Sequence, residues 1–162
     1  MRFRATNGRD LDLSRLAADR LVVFVFPRMG RPDAADPPGW DDIPGARGCT
    51  QESCAFRDHF REFIDLDYEV VGLSAQLTSD QVEASTRLHL PYKLLADPDR
   101  KLSEAIGLPT FSAAGLTLYK RLTFVAQDRR IVKVFYPIFP PQENAPNVLA
   151  WIRSEMGNGL VG

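Results

Sequence analysis

The chain has 162 residues, a 44% hydrophobic fraction and 20 Lys+Arg against 21 Asp+Glu, for a net charge of −1. That size and composition suit one domain, residues 1–162, with a core that needs no disulfide or structural metal. Balanced, scattered charge gives no electrostatic footprint for nucleic acid or a membrane surface. The longest apolar stretch, Leu21 to Phe26, is far below the roughly 20 residues of a membrane span. The start, Met1-Arg2-Phe3-Arg4, lacks a signal peptide's apolar segment. A cytoplasmic protein is therefore expected, in a compartment where two cysteines are reactive rather than stapling; a monomer is expected as well.

In chain order, Leu21 to Phe26 predicts a strand buried on both faces, ended by Pro27. Arg28 to Gly48 is rich in Gly, Pro and Asp and predicts a long loop of the kind that carries function. Thr50 to about Leu66 has helical spacing, with Phe56, Phe60, Phe63 and Ile64 on one face. Tyr68 to Leu73 predicts a second strand. Ser79 to Leu88 predicts a helix with a Ser or Asp cap. A short strand is expected over Tyr92 to Leu95, then a helix from Asp97 to Ile106 closed by Gly107. Leu116 to Ala126 and Arg130 to Tyr136 read as antiparallel strands joined at Gln127-Asp128-Arg129, and Asn144 to Met156 as a final helix. Alternating strands and helices followed by a hairpin imply an α/β three-layer domain with a mixed central sheet.

With Cys49 at angle zero and about 100° per residue, the three phenylalanines and Ile64 fall within about 60° of it. Cys49 is thus expected on the core-facing side at the helix start, and Cys54, about 140° away, on the polar side. A helix N-terminus offers free N–H groups and positive partial charge, both of which favour thiolate and lower a thiol's pKa. Gly48 suits a tight entry in which backbone approaches a ligand. The plainer alternatives are a small buried hydrophobe for Cys49 and an incidental surface thiol for Cys54. His59 and His89 are the only histidines and no four-ligand spacing exists, so no metal site is expected. Four residues separate the cysteines, where a disulfide exchanger uses two.

The segment Gly48-Cys49-Thr50-Gln51-Glu52-Ser53-Cys54-Ala55-Phe56-Arg57-Asp58 strongly resembles the peroxidatic helix of the peroxiredoxin Q group, also called bacterioferritin comigratory proteins. The likeness runs from about Gly8 to Ile152. It implies a thioredoxin-like fold and a thioredoxin-dependent peroxidase without cofactor, of the atypical two-cysteine kind. Cys49 would attack hydrogen peroxide or an organic hydroperoxide, Cys54 would resolve the product as an intramolecular disulfide, and thioredoxin or a similar dithiol would recycle it. Lys120 to Val125 resembles the strand bearing the family's catalytic arginine, so Arg121 inherits that role. Pro27 and Gly48 match the substrate-contacting surroundings. Two departures stand out. Ala46 occupies the position of the family's active-site threonine. Pro27 lies 22 positions before Cys49 instead of about seven, which implies an insertion of about 15 residues. Arg47, directly before the Gly-Cys pair, is the candidate to replace the missing hydrogen bond. The missing threonine also favours an alternative, a peroxide-responsive redox sensor with poor turnover.

Overall fold

A computed structural model describes residues 1–157; the last five residues of the expected 1–162 domain lie outside the described residues. Its centre is β3 (Arg20–Val25), flanked in parallel by β4 (Glu69–Ser74), which is itself parallel to β5 (Lys93–Ala96). On the other side β8 (Leu122–Gln127) runs antiparallel to β3, and β9 (Arg130–Phe135) closes that edge. A hairpin of β1 (Arg2–Ala5) and β2 (Asp10–Asp12) extends the sheet beyond β5, giving the order β2-β1-β5-β4-β3-β8-β9. The sheet is mixed, as the sequence pattern implies.

The continuous apolar run of β3 follows from burial on both faces. Val22, Phe24 and Phe26 point to one core with Phe56, Phe63 and Leu149, while Leu21, Val23 and Val25 point to a second with Leu73, Leu102 and Phe124. The first core is covered by α2 (Cys49–Asp58), α3 (Phe60–Asp65), α4 (Thr78–Arg87) and α6 (Asn144–Gly157), and the second by α1 (Leu13–Leu16) and α5 (Lys101–Ile106). These are the three layers.

Several boundaries differ from the sequence reading. The helix expected over 50–66 breaks at His59 (φ −98°, ψ 4°), and the break turns α3 so that Phe63 stays buried while Ile64 is 42% exposed. Asp97 lies before α5 and accepts from the Lys101 and Leu102 backbone N–H groups at 2.8 and 3.0 Å. It holds the helix start from outside. Gly107 does close α5, in the left-handed region at φ 73°. Helix α4 begins at Thr78 after Leu77, with no side-chain cap. The strand expected over 116–126 is two strands. Its first part, β7 (Leu116–Tyr119), pairs with β6 (Thr110–Ala113) in a separate hairpin, and only its second part, β8, joins the main sheet. Propensity cannot see a strand that changes sheets; pairing partners decide it. No helix among the described residues is long and apolar enough to cross a membrane.

Candidate active site

The break between β7 and β8 leaves Lys120 and Arg121 outside both ladders. Val25 pairs with Leu122, so Arg121, one residue earlier, sits at the carboxyl end of β3. Helix α2 follows the long connection after β3 and starts at that same end, the usual place for function in an open α/β sheet. Sheet register and chain direction thereby bring Arg121 to Cys49 across 72 residues of sequence.

Cys49 is the first residue of α2 and is 3% exposed. Gly48 before it is in the left-handed region at φ 101°, and a Cβ there would lie 2.5 Å from Pro141 Cγ. Only glycine fits both the backbone angle and the space. Pro141 opens a short 3-10 turn, Pro141–Glu143, that lies over the helix start and leads into α6.

Arg121 Nη2 donates to Cys49 Sγ at 3.3 Å, to Arg47 O at 2.8 Å and to Gly45 O at 3.1 Å. Its Nη1 donates to Glu52 Oε1 at 2.8 Å. Glu52 is fully buried, and its second oxygen accepts from Asn144 Nδ2 at 2.9 Å; the same Nδ2 donates to Thr123 Oγ1 at 2.6 Å. Burial pushes the Glu52 carboxyl up to about 7, against the pull of Arg121 and Asn144.

The sequence reading expects a lowered Cys49 pKa; in this closed site the thiol is raised instead. Burial is the largest cause, since a thiolate taken out of water loses its hydration. Arg121 works against that rise, Glu52 adds to it, and hydrogen bonds from Arg121 and the Arg28 backbone N–H favour the charged form. The thiolate that does form is held by Arg121 and an amide donor.

A cleft opens beside Cys49, with Arg28, Trp40, Ala46, Thr50, Phe139 and Pro141 among its walls. Gly48 lines it as well, whereas Pro27 is buried and does not. Arg47 borders the cleft, but its guanidinium, with a side chain 72% exposed, pairs with Asp41 at 3.2 Å. What Arg47 brings to the site is its carbonyl, which accepts from Arg121. Ala46 is buried with Trp40, Ala113 and Leu118 in a small cluster of its own. Cys54 is half-buried and both cysteines are free thiols. Among the described residues no group of His, Cys, Asp and Glu is arranged to hold a metal ion.

Glu52, Asn144, Thr123 and the Arg28 amide have no site role in the sequence reading. Glu52 had a legible signal: three residues after Cys49, it falls about 60° from the core-facing line, where an unpaired carboxylate does not belong. Asn144 had none beyond its place at a helix start.

The Redoxin family model matches residues 2–150. Among curated proteins, the chloroplastic peroxiredoxin Q of Populus jackii is 29% identical over 149 residues, covering 91% of this chain and 62% of the relative. That of Oryza sativa subsp. japonica is 28% identical over 153 residues, covering 94% of this chain and 63% of the relative. The chain thus spans less than two thirds of the length of these relatives. Among solved structures, the peroxidoxin BcpB of Mycobacterium tuberculosis superposes with a TM-score of 0.74 at 28% identity, over 95% of this chain and 92% of that one. The PrxQ of Xylella fastidiosa gives 0.77 at 18% identity, over 96% and 89%, a likeness of fold.

Proposed function

The chain belongs to the redoxin family as a peroxiredoxin Q-like protein of thioredoxin-like fold, and from that premise we propose that it is a thiol peroxidase with Cys49 as nucleophile, Cys54 as resolving thiol and Arg121 as stabiliser of the reacting charge. One observation carries the reading: a buried cysteine at a helix start lies 3.3 Å from an arginine donor that the distant β7–β8 break supplies. A side chain that only filled the core would need no buried cation beside it.

The Cys49 thiolate attacks the terminal oxygen of hydrogen peroxide or an alkyl hydroperoxide. The S–O bond forms as the O–O bond breaks, leaving Cys49 sulfenic acid and an oxide that takes one proton to become water or alcohol. Arg121 faces both the sulfur and the charge that moves to the leaving oxygen. The Cys54 thiol then displaces the sulfenic hydroxyl, giving one disulfide and one water. An external dithiol, thioredoxin or a similar protein, returns two electrons and two protons by exchange and becomes a disulfide itself. This reading takes the protein as a cytosolic monomer; Gly48 and the Arg47 carbonyl shape the substrate side, and Pro27, buried behind the cleft lining, starts the connection that leads to it.

A second reading, a peroxide-responsive sensor, is favoured by Ala46, which brings no hydroxyl to the sulfur, and by the raised Cys49 thiol. Hydrogen peroxide with thioredoxin, its reductase and NADPH separates the two. The peroxidase reading expects many turnovers per protein and none for Cys49→Ser, whose hydroxyl cannot replace a thiolate. A single stoichiometric oxidation makes the protein a sensor. Turnover by Cys49→Ser near that of wild type moves the chemistry to another residue.

A further inference from the structure

The polar set around Cys49 continues past Arg121 into the C-terminal helix. Asn144, the first residue of α6, is 2% exposed. An amide nitrogen has two hydrogens, and both are used, one on Glu52 and one on Thr123. Glu52 in turn has one oxygen on Asn144 and the other on Arg121. The Arg121 guanidinium is planar, so the direction of Nη1 sets the direction of Nη2, the atom facing sulfur. Carbonyls of Gly45 and Arg47 hold the Nη2 end and Nε has no partner among the described residues, so Glu52 is what holds the Nη1 end and with it the tilt of the plane. A carboxylate held by one oxygen can still turn; held by both, it cannot.

We propose that Asn144 is a positioning residue, which acts through Glu52 to hold the Arg121 guanidinium against the Cys49 sulfur. This deepens the peroxidase reading and rests on it. The ionisable or charged groups facing Glu52 are Cys49 on its own helix, Arg121 from the β7–β8 break and Tyr92 from the segment before β5.

The test uses the full chain and an isosteric change, Asn144→Asp. In its acid form the new side chain still donates one hydrogen bond; ionised, it donates none and sets a second carboxylate against Glu52. The rate constant for oxidation of Cys49 by hydrogen peroxide is measured by stopped flow from pH 5 to 9 and divided by the wild-type value at each pH. The ratio is expected near one at acidic pH and at least about 10-fold lower at alkaline pH, the scale of one hydrogen bond to a charged group. Asn144→Ala removes the donor at every pH. It is expected to lose at least about 10-fold throughout while keeping a cooperative melting transition, and it keeps the test decisive if the Asp variant fails to fold. A flat ratio near one for Asn144→Asp, or a wild-type rate in Asn144→Ala, overturns the proposal. So does a loss that only matches the fraction of unfolded protein. The wild-type rate by itself tests the peroxidase reading: a rate no faster than that of free cysteine defeats that reading, whatever the ratios.

Discussion

At the scale of single residues, Glu52 and Arg121 set the charge balance around Cys49. The Glu52 carboxyl is pushed up to about 7 from an ordinary value of 4.5, chiefly by burial. The folded protein therefore keeps a proton that the unfolded chain releases between these two values. That contribution to stability is fully present below about pH 4.5 and is lost as pH rises through about 7. Full loss amounts to about 3 kcal/mol, at 1.36 kcal/mol per pH unit. Glu52→Gln should lack this fall, which urea unfolding at pH 5 and pH 8 measures; equal slopes in both proteins would take the buried proton away from Glu52. Arg121 is the strongest influence holding the Cys49 thiol down against burial. Arg121→Ala should therefore raise the thiol pKa further and slow alkylation of Cys49 by iodoacetamide at pH 7 to 8. An unchanged alkylation pH profile would show that Arg121 does not govern the thiol.

At the scale of elements, α2 is helical from Cys49 through Cys54 with both thiols free. Residues five apart on a helix have Cα atoms about 8.6 Å apart, whereas a disulfide needs about 4.4–6.8 Å. The proposed 49–54 bond thus requires the first turns of α2 to unwind. Helix ends usually open at small cost, but this one is tied down from several sides. Glu52 is bonded to Arg121 and Asn144, Tyr92 Oη donates to Ser53 O at 2.6 Å, and Ser53 Oγ donates to Met29 Sδ at 3.3 Å. Opening gives up all of these, so the reduced form should protect its amides strongly. Hydrogen exchange is expected to be slow over residues 52–57 in the reduced protein and fast in the oxidised one. Cys54→Ser should stay protected under peroxide and collect Cys49 sulfinic acid, a gain of two oxygens by mass spectrometry. A 49–54 disulfide with undiminished protection would refute the unwinding.

At the scale of the whole molecule, the connection from Arg28 to Gly48 is a docked part of the structure. Its Trp40 lies 6.1 Å from the Phe111 ring of the β6–β7 hairpin, between centroids, and Trp40 packs with Ala46, Ala113 and Leu118. Arg28 lies over Trp40 at 5.7 Å and pairs with Asp36. The segment presents the Gly45 and Arg47 carbonyls to Arg121 because this cluster holds it there. Ala46 is buried within the cluster, so the extra atoms of a larger side chain there must be packed among Trp40, Ala113 and Leu118. Ala46→Thr is accordingly expected to destabilise the fold by about 1–3 kcal/mol, the range for overpacking, and to slow peroxide attack by displacing the carbonyls around Arg121. Faster attack with an unchanged melting temperature would mean instead that a threonine hydroxyl is what this site lacks.

Much of this protein was legible in one dimension. The run Leu21 to Phe26, with no polar alternation, implies a strand covered on both faces, and the two interleaved cores bear this out. Helical phase alone places Cys49 toward the core and Cys54 away from it, because 100° per residue is a local property of the backbone. The likeness of the Cys49–Asp58 segment to a known helix supplies Arg121 as a candidate. Local pattern does not determine which distant groups meet. The break at Lys120 and Arg121 exists because β7 pairs with β6 while β8 pairs with β3, a choice set by long-range pairing. Glu52, Asn144 and Thr123 converge from one helix, another helix and a strand, 92 residues apart at the widest. The expected fall in the Cys49 pKa turned into a rise because the helix-end argument counts local dipoles, and desolvation depends on everything the tertiary structure packs around the sulfur.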